Sequence, residues 1–322
     1  ARAAAYGDAL AACLEAAGYA VEREYYVNDA GNQFALLGVA MEVRCRQLLG
    51  QEAELPEGAY PGEYVVDLAR EYLAGPGGEA ARRVLLRSGA VPGGPDGDGL
   101  AELRQELARF AVERIVAGQE ASLRRYGVVY DRWVRESALR AAGAPERALA
   151  RLREAGCVYE RDGAVWFRAT AFGDEQDRVL VRQNGEYTYF LVDVAYHLDK
   201  FERGFDRVID IWGQDHHGYV PRLRAALQAL GIEAGRLEVL LNQMVRLVRG
   251  GEVVKMSKRR GEFVTMDELV DDVGRDAARF LFLMRSLDSH MDFDLDLARL
   301  QAAENPVYYV QYAHARICSI LR

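Results

Sequence analysis

Gly250-Gly251-Glu252-Val253-Val254-Lys255-Met256-Ser257-Lys258-Arg259-Arg260-Gly261 is the stretch around which the chain is organised. The sequence holds three lysines, Lys200, Lys255 and Lys258, among 41 Lys plus Arg. A chain that writes arginine almost everywhere has kept lysine twice within four residues. The two cations are not interchangeable, because ammonium is a compact point charge on a flexible stem and guanidinium a planar fork. A glycine-flanked loop with two ammonium groups and a small hydroxyl suits a triphosphate whose charge must be stabilised as it redistributes. Charge alone would fit a solvated surface loop equally well. The scarcity of lysine elsewhere turns the reading towards function.

Beyond this loop, Thr265-Met266-Asp267-Glu268 has the spacing of a capping box and predicts a helix start. A helix over 276–286 carries Ala277, Phe280, Leu281 and Met284 as an apolar stripe read as core. Asp292-Phe293-Asp294-Leu295-Asp296-Leu297 alternates acid and apolar residues, as an exposed edge or a turn into a helix would; with no closing ligand cluster it is not read as a metal site. Asn305 opens a last helix whose aromatic face is assigned to packing ahead of RNA contact.

Towards the N-terminus, Val208-Ile209-Asp210-Ile211-Trp212 reads as an apolar, central strand ending at Gly213-Gln214-Asp215-His216-His217-Gly218-Tyr219. A glycine at a strand end lets the backbone approach a nucleotide, and Asp215 could take ribose hydroxyls. Adjacent histidines point in different directions and make a poor zinc pair; each is either a ligand contact or a satisfied imidazole. Tyr189 and Asp193, four apart, share a face if they lie on a helix. A carboxylate there can accept both N–H groups of a guanidinium in parallel, and the alternative is a pair with one of the chain's own arginines. Glu136, after the strand expected over 126–133, is either a ligand for a guanidinium or a helix-start carboxylate favoured by the dipole.

The first residues, 1–17, read as a helix stopped at Gly18, followed by a strand over 21–27 that ends in Tyr25-Tyr26-Val27-Asn28-Asp29-Ala30-Gly31-Asn32. Asn28 and Asp29 are read as shaping residues first. From about residue 34 to 125 the chain is helical, with turns around Leu55–Gly62 and Pro92–Gly97. Arg44, Arg46, Arg82 and Arg83 are read there as solvated helix faces rather than RNA contacts.

Composition bounds these readings. A length of 322 residues predicts about two domains, and 50% hydrophobic with 28% charged residues is ordinary globular content. No run approaches the roughly 18 apolar residues of a membrane span, and no signal-peptide pattern opens the chain. Cys13, Cys45, Cys157 and Cys318 are far apart, against both a zinc cluster and a disulfide framework, so a reducing cytoplasm is the simplest home. A net charge of −8 disfavours a wholly basic nucleic-acid surface but allows a local basic track.

Lys255-Met256-Ser257-Lys258 resembles the signature loop of class I aminoacyl-tRNA synthetases. The run Gly261-Glu262-Phe263-Val264-Thr265, the run Val273–Phe280, Tyr60–Tyr64 and, most specifically, Tyr25–Asn32 resemble the arginyl branch of that family. The resemblance implies an α/β fold, a doubly wound parallel nucleotide-binding (Rossmann-like) sheet with helical insertions and the start of an α-helical C-terminal domain. Its implied division is 1–40 for the first part of the nucleotide-binding fold, 41–125 for a connective insertion and 126–247 for the second part. Residues 248–300 would hold the lysine loop and linking helices, and 301–322 the first helix of an anticodon-binding domain. The His-x-Gly-His motif of the class does not occur, and Ala1-Arg2 resembles what directly follows it, so a catalytic core cut at both ends is expected.

What the resemblance implies about chemistry is activation of L-arginine by ATP, carried with Mg²⁺, and transfer to tRNA(Arg). No protein-bound metal and no membrane contact are implied, and the full-length protein would be a monomer. Lys255, Lys258 and Ser257 would be catalytic. Tyr189, Asp193, Glu136 and His216 would bind arginine. Gly213, Asp215, His217 and the four residues Lys255, Met256, Ser257 and Lys258 would bind ATP. The rival expectation is a catalytically inactive nucleotide- or tRNA-binding paralogue.

Overall fold

Alanine-rich sequence with little competing side-chain chemistry favours helix at the N-terminus, and α1 spans Arg2–Ala16 before Gly18 turns the chain at φ 92°. The computed structural model describes residues 1–87, 99–254 and 264–322. Along the chain, β1 (Glu24–Val27) is followed by four helices, α2 (Gly31–Leu48), α3 (Glu63–Ala74), α4 (Gly78–Arg87) and α5 (Leu100–Arg125). Then come β2 (Arg132–Arg135), α6 (Glu136–Ala141), α7 (Ala144–Glu154), β3 (Val158–Arg161), β4 (Ala164–Phe167), β5 (Arg178–Val181) and α8 (Tyr189–Glu202). The remainder is β6 (Val208–Gly213), α9 (Val220–Ala229), β7 (Leu237–Asn242), β8 (Val245–Arg249), β9 (Glu252–Val253), α10 (Met266–Val273), α11 (Arg275–Leu283), β10 (Met291–Asp294), α12 (Leu295–Arg299) and α13 (Pro306–Ile320).

Two units result. The first contains Ala1–Tyr25, Tyr130–Val254 and Asp272–Arg322; the second contains Tyr26–Val129 and Lys255–Asp271. In the first, β6 and β7 pair in parallel from Val208 opposite Leu237 to Gly213 opposite Asn242, with α9 as the crossover. A parallel pair needs such a crossover, which is the βα unit of a doubly wound fold. A second parallel pair, β8 with β10, is reached through helices and extended by β9. Strands β3, β4 and β5 form a separate antiparallel sheet. The mixed α/β class expected from the sequence is the one observed. Among the described residues, however, β6 hydrogen-bonds to β7 alone, so it is not flanked on both sides as a central strand would be.

Helix α8 is fixed by its first turn. The Thr188 hydroxyl accepts from the Leu191 N–H and donates to Val179 O at 2.8 Å, tying the cap to β5. Leu191 and Val194 are fully buried, as are Leu180, Leu223 and Phe167 around them. Burying each such side chain contributes about 1.5–3 kcal/mol. The capping box at Thr265 forms as expected: Glu268 N–H donates to the hydroxyl at 3.1 Å, and Thr265 N–H donates to the Glu268 carboxylate at 2.7 Å.

Helices make the second unit. Gly38 on α2 lets the backbone of α5 approach so closely that a Cβ would lie 2.5 Å from Arg104 O. Glu42 bridges the same helices, accepting from Arg46 at 2.7 Å and Arg104 at 2.6 Å. Arg46 is therefore neither a solvated face nor an RNA contact: it is completely buried and also donates to Leu85 O. Ser122 and Arg125 on α5 bond Asp267 and Asp271 on α10.

Several element expectations shift. The first strand is shorter, beginning at Glu24 rather than residue 21. The strand expected over 126–133 starts only at Arg132, because Tyr126, Gly127 and Val128 spend their N–H groups capping α5 on Ser122 O, Arg124 O and Leu123 O. On α11 the buried face is Ala277, Ala278, Leu281 and Phe282; Met284 lies beyond the helix and is 53% exposed. The acid–apolar run becomes β10 and α12, with Phe293 buried on Phe282 and Asp294 capping α12. The aromatic face of α13 is not core. Tyr309 is 61% and Tyr312 51% exposed, and Val307 is the one buried residue of that helix. The expected turn over 92–97 lies outside the described residues.

Candidate functional site

The first turn of α8 carries Tyr189, exposed, and Asp193, partly buried one turn on. Asp193 Oδ2 accepts a 2.6 Å hydrogen bond from the Tyr219 hydroxyl. Tyr219 ends the 3₁₀ turn Gln214–Tyr219 that leaves β6, so this bond joins the start of α8 to the carboxyl end of a parallel strand. Phe190 and Trp212 meet the Tyr219 ring edge-on at 6.2 and 5.9 Å. Burial raises the Asp193 carboxyl, Tyr219 and His197 lower it, and the charges of Glu136 and Asp210 raise it further; the balance lies upward. No ion pair forms between Asp193 and any arginine or lysine among the described residues. Among the described residues the alternative of an internal arginine partner is thus not adopted.

Glu136 does have one. It is the first residue of α6 and almost fully buried, and its Oε1 accepts from Arg140 Nε at 2.8 Å and Nη2 at 2.7 Å. Its other contacts are not exhausted by that pair. Glu136 stands close enough to Asp193 to act on its titration.

At the end of β6, Gly213 pairs with Asn242 at the end of β7. A side chain at Gly213 would put its Cβ 2.3 Å from Asp215 Oδ1, so glycine is what lets the Asp215 carboxylate fold back over the strand end. Asp215, His216 and His217 are exposed. His216 Nε2 lies 3.7 Å from Asp215 Oδ2, and its ring meets Trp212 at 6.2 Å. The Asn242 side-chain oxygen is buried without a hydrogen-bond partner. Carboxyl ends of adjacent parallel strands are where open α/β sheets take ligands.

The structure therefore gathers Asp193, His216, Gly213 and Asp215 around Trp212 and Tyr219, with Tyr189 one turn before Asp193 and Glu136 near it. Lys255, Met256, Ser257 and Lys258 lie outside the described residues. Asp29 is buried, and Asn28 and Asp29 each have a further interaction. No group of three or more His, Cys, Asp or Glu that could hold a metal occurs among the described residues.

Sequence reasoning did not single out Tyr219, His197, Asp210 or Lys200. His197 Nδ1 is 2.7 Å from Asp193 O and Nε2 is 2.5 Å from Asp210 Oδ2, while Lys200 Nζ donates to Asp210 Oδ1 at 3.0 Å. A signal was present: an aspartate in the middle of Val-Ile-Asp-Ile-Trp requires a buried partner, and positions 193, 197 and 200 fall on one helical stripe. The third lysine is thus a buried ion-pair member.

Comparison with known proteins identifies the family. Residues 110–301 match the family described as tRNA synthetases class I (R), catalytic domain. The whole chain is similar to the arginine–tRNA ligases of Desulforamulus reducens, at 53% identity, and Moorella thermoacetica, at 54%, and covers 55% of each. The chain thus spans about half the length of these curated relatives. Among solved structures it resembles one described as an arginyl tRNA synthetase from Campylobacter jejuni, at 36% identity and a TM-score of 0.85, covering 99% of this chain and 66% of that one. The Thermus thermophilus arginyl-tRNA synthetase, 23% identical over the whole chain and 61% of its own, shares the fold with a TM-score of 0.70. By its family match, this chain belongs to the catalytic domain of the class I tRNA synthetases of the arginine type.

Proposed function

We propose that the chain is the catalytic core of an arginine–tRNA ligase. The observation that carries this is Asp193: a partly buried carboxylate, oriented by Tyr219, with no cationic partner among the described residues of an arginine-rich chain. An uncompensated buried carboxylate is costly, and a guanidinium ligand presenting parallel N–H donors would relieve that cost. Tyr189, Glu136 and His216 complete the arginine-binding set in this reading. Gly213, Asp215 and His217 at the β6 end would meet ATP, and Lys255, Lys258 and Ser257, with Met256 between them, would hold its triphosphate.

No enzyme nucleophile is needed. A carboxylate oxygen of arginine attacks the α-phosphorus of ATP in line, the bond to the bridging oxygen breaks, and pyrophosphate leaves with its Mg²⁺. A ribose hydroxyl of the 3′-terminal adenosine of tRNA(Arg) then attacks the arginyl carbonyl, and AMP departs. Positioning and charge stabilisation supply the acceleration. Lysine is rejected because its single ammonium leaves the bidentate site unpaired. In this reading residues 1–40 and 126–247 form the nucleotide-binding fold, 41–125 the insertion, 248–300 the lysine loop with its linking helices, and 301–322 opens the anticodon-binding domain. Full length, the protein would act as a cytoplasmic monomer.

The test is calorimetric titration of the chain with arginine, lysine and citrulline. Arginine should bind at least tenfold tighter than citrulline, which lacks the charge, and than lysine, which lacks the fork. Equal affinities for the three would sink the assignment.

A further inference from the structure

No step of the reaction above uses the buried group formed by His197, Asp210 and Lys200. His197 is 3% exposed and its two ring nitrogens both face oxygen atoms: the Asp193 main-chain carbonyl at 2.7 Å and the Asp210 carboxylate at 2.5 Å. A carbonyl and an ionised carboxylate only accept hydrogen bonds. A neutral imidazole donates from one nitrogen only, so this arrangement fills both acceptors when the ring carries two protons.

Asp210 is ionised for a reason visible in the structure. Burial alone would raise its carboxyl, but Lys200 and His197 outweigh burial and hold it well below the usual carboxylate range. Lys200 is itself fixed, donating to Asp210 Oδ1 and lying 4.1 Å from the Tyr196 ring centroid. A doubly protonated His197 and Lys200 would thus share one anion, leaving a single positive charge in the later turns of α8, beyond Asp193.

The groups around that charge are few. From α8 they are Asp193, Tyr196 and Lys200; from β6 they are Asp210 and the uncharged Trp212, whose ring meets His197 at 6.4 Å. Tyr196 is raised by burial and by its bond to Glu24 of β1 and stays neutral. Beyond Asp193 stand Tyr219, bonded to it, and Glu136, already paired with Arg140. Among the described residues, Asp193 is the one carboxylate of this set with no cation bound to it.

We propose that His197 is a positioning residue for arginine recognition: locked as an imidazolium between the Asp193 main-chain oxygen and Asp210, it keeps the Asp193 carboxylate ionised until a guanidinium arrives. This rests on the reading that Asp193 receives the substrate guanidinium. A neutral histidine would leave one neighbouring acceptor unfilled and strip Asp193 of the opposing charge that favours its ionised form.

The experiment is nuclear magnetic resonance of the chain with ¹⁵N-labelled histidine rings and ¹³C-labelled aspartate carboxyls. At pH 8, above the value of about 6.5 for free histidine, the His197 ring, assigned through bonds, should retain both protons. A neutral ring at that pH overturns the proposal, and this arm needs no variant. In His197→Gln the Asp193 carboxyl signal should titrate at higher pH than in the unaltered chain; an unchanged titration also overturns it. Arginine titration of Asp193→Asn tests the underlying assignment separately. Undiminished binding there removes Asp193 from the site, whereas a neutral His197 ring with arginine binding lost in Asp193→Asn removes only the role of His197.

Discussion

Tyr219 donates a 2.6 Å hydrogen bond to Oδ2 of Asp193, so one oxygen of the carboxylate assigned to the substrate is already held in place. The bond links the turn after β6 to the first turn of α8 and lowers the Asp193 carboxyl against the effect of burial. Tyr219→Phe removes the donor and keeps the ring packing on Phe190 and Trp212. A bond to a charged group contributes about 1.5 kcal/mol or more, so the arginine requirement should rise about tenfold while the ATP requirement stays unchanged. Steady-state KM values for the two substrates check this.

Asp193→Asn keeps the shape and replaces one acceptor oxygen by a donor that faces the guanidinium donors. The arginine KM should rise about a hundredfold, as when a site built for a charged hydrogen-bonding partner loses its complement. An equal rise in the ATP KM would count against the assignment.

Lys258→Ala, tested by ATP–pyrophosphate exchange in the longer protein, should slow adenylate formation about a hundredfold, the cost of one donor to transition-state charge. An unaltered rate would remove Lys258 from the chemistry.

Asp210→Asn leaves Lys200 and His197 buried without their anion. Breaking a buried pair in this way costs about 3–5 kcal/mol, readable as a lower urea midpoint. The pH dependence has a definite sign. Unfolded aspartate titrates near 3.9, whereas folded Asp210 is held well below the usual range. Its contribution is complete above about pH 4 and is lost as pH falls through the folded value. The unaltered chain should therefore lose more stability on acidification below pH 4 than Asp210→Asn does.

Gly38→Ala would place a methyl group 2.5 Å from Arg104 O, backbone that cannot swing aside. Overpacking of this kind costs about 1–3 kcal/mol. The variant should melt at lower temperature, whereas Gly118→Ala, which meets nothing within 4 Å on α5, should not.

The legible part of this chain was local. The capping box at Thr265 needs only four residues in sequence, and the helix carrying Tyr189 and Asp193 is set by a 3.6-residue period. The Asp193–Tyr219 bond spans 26 positions and depends on a turn whose direction no period encodes. Arg46 shows the same limit: its i,i+4 pairing with Glu42 within α2 is local, but the burial of that pair, with Arg104 of α5 and Leu85 O against it, is not. The exposed rings of α13 erred in the opposite sense, because an aromatic stripe records that a face is apolar and not whether this chain covers it.

Of the three lysines, Lys200 has its ammonium locked between Asp210 and the Tyr196 ring. Amine-selective acylation of the folded chain is therefore a regiospecific reaction by default: any lysine that takes the label is Lys255 or Lys258. Protection of that label by ATP, read by peptide mass, becomes a footprint of the proposed triphosphate contact with no mutation at all.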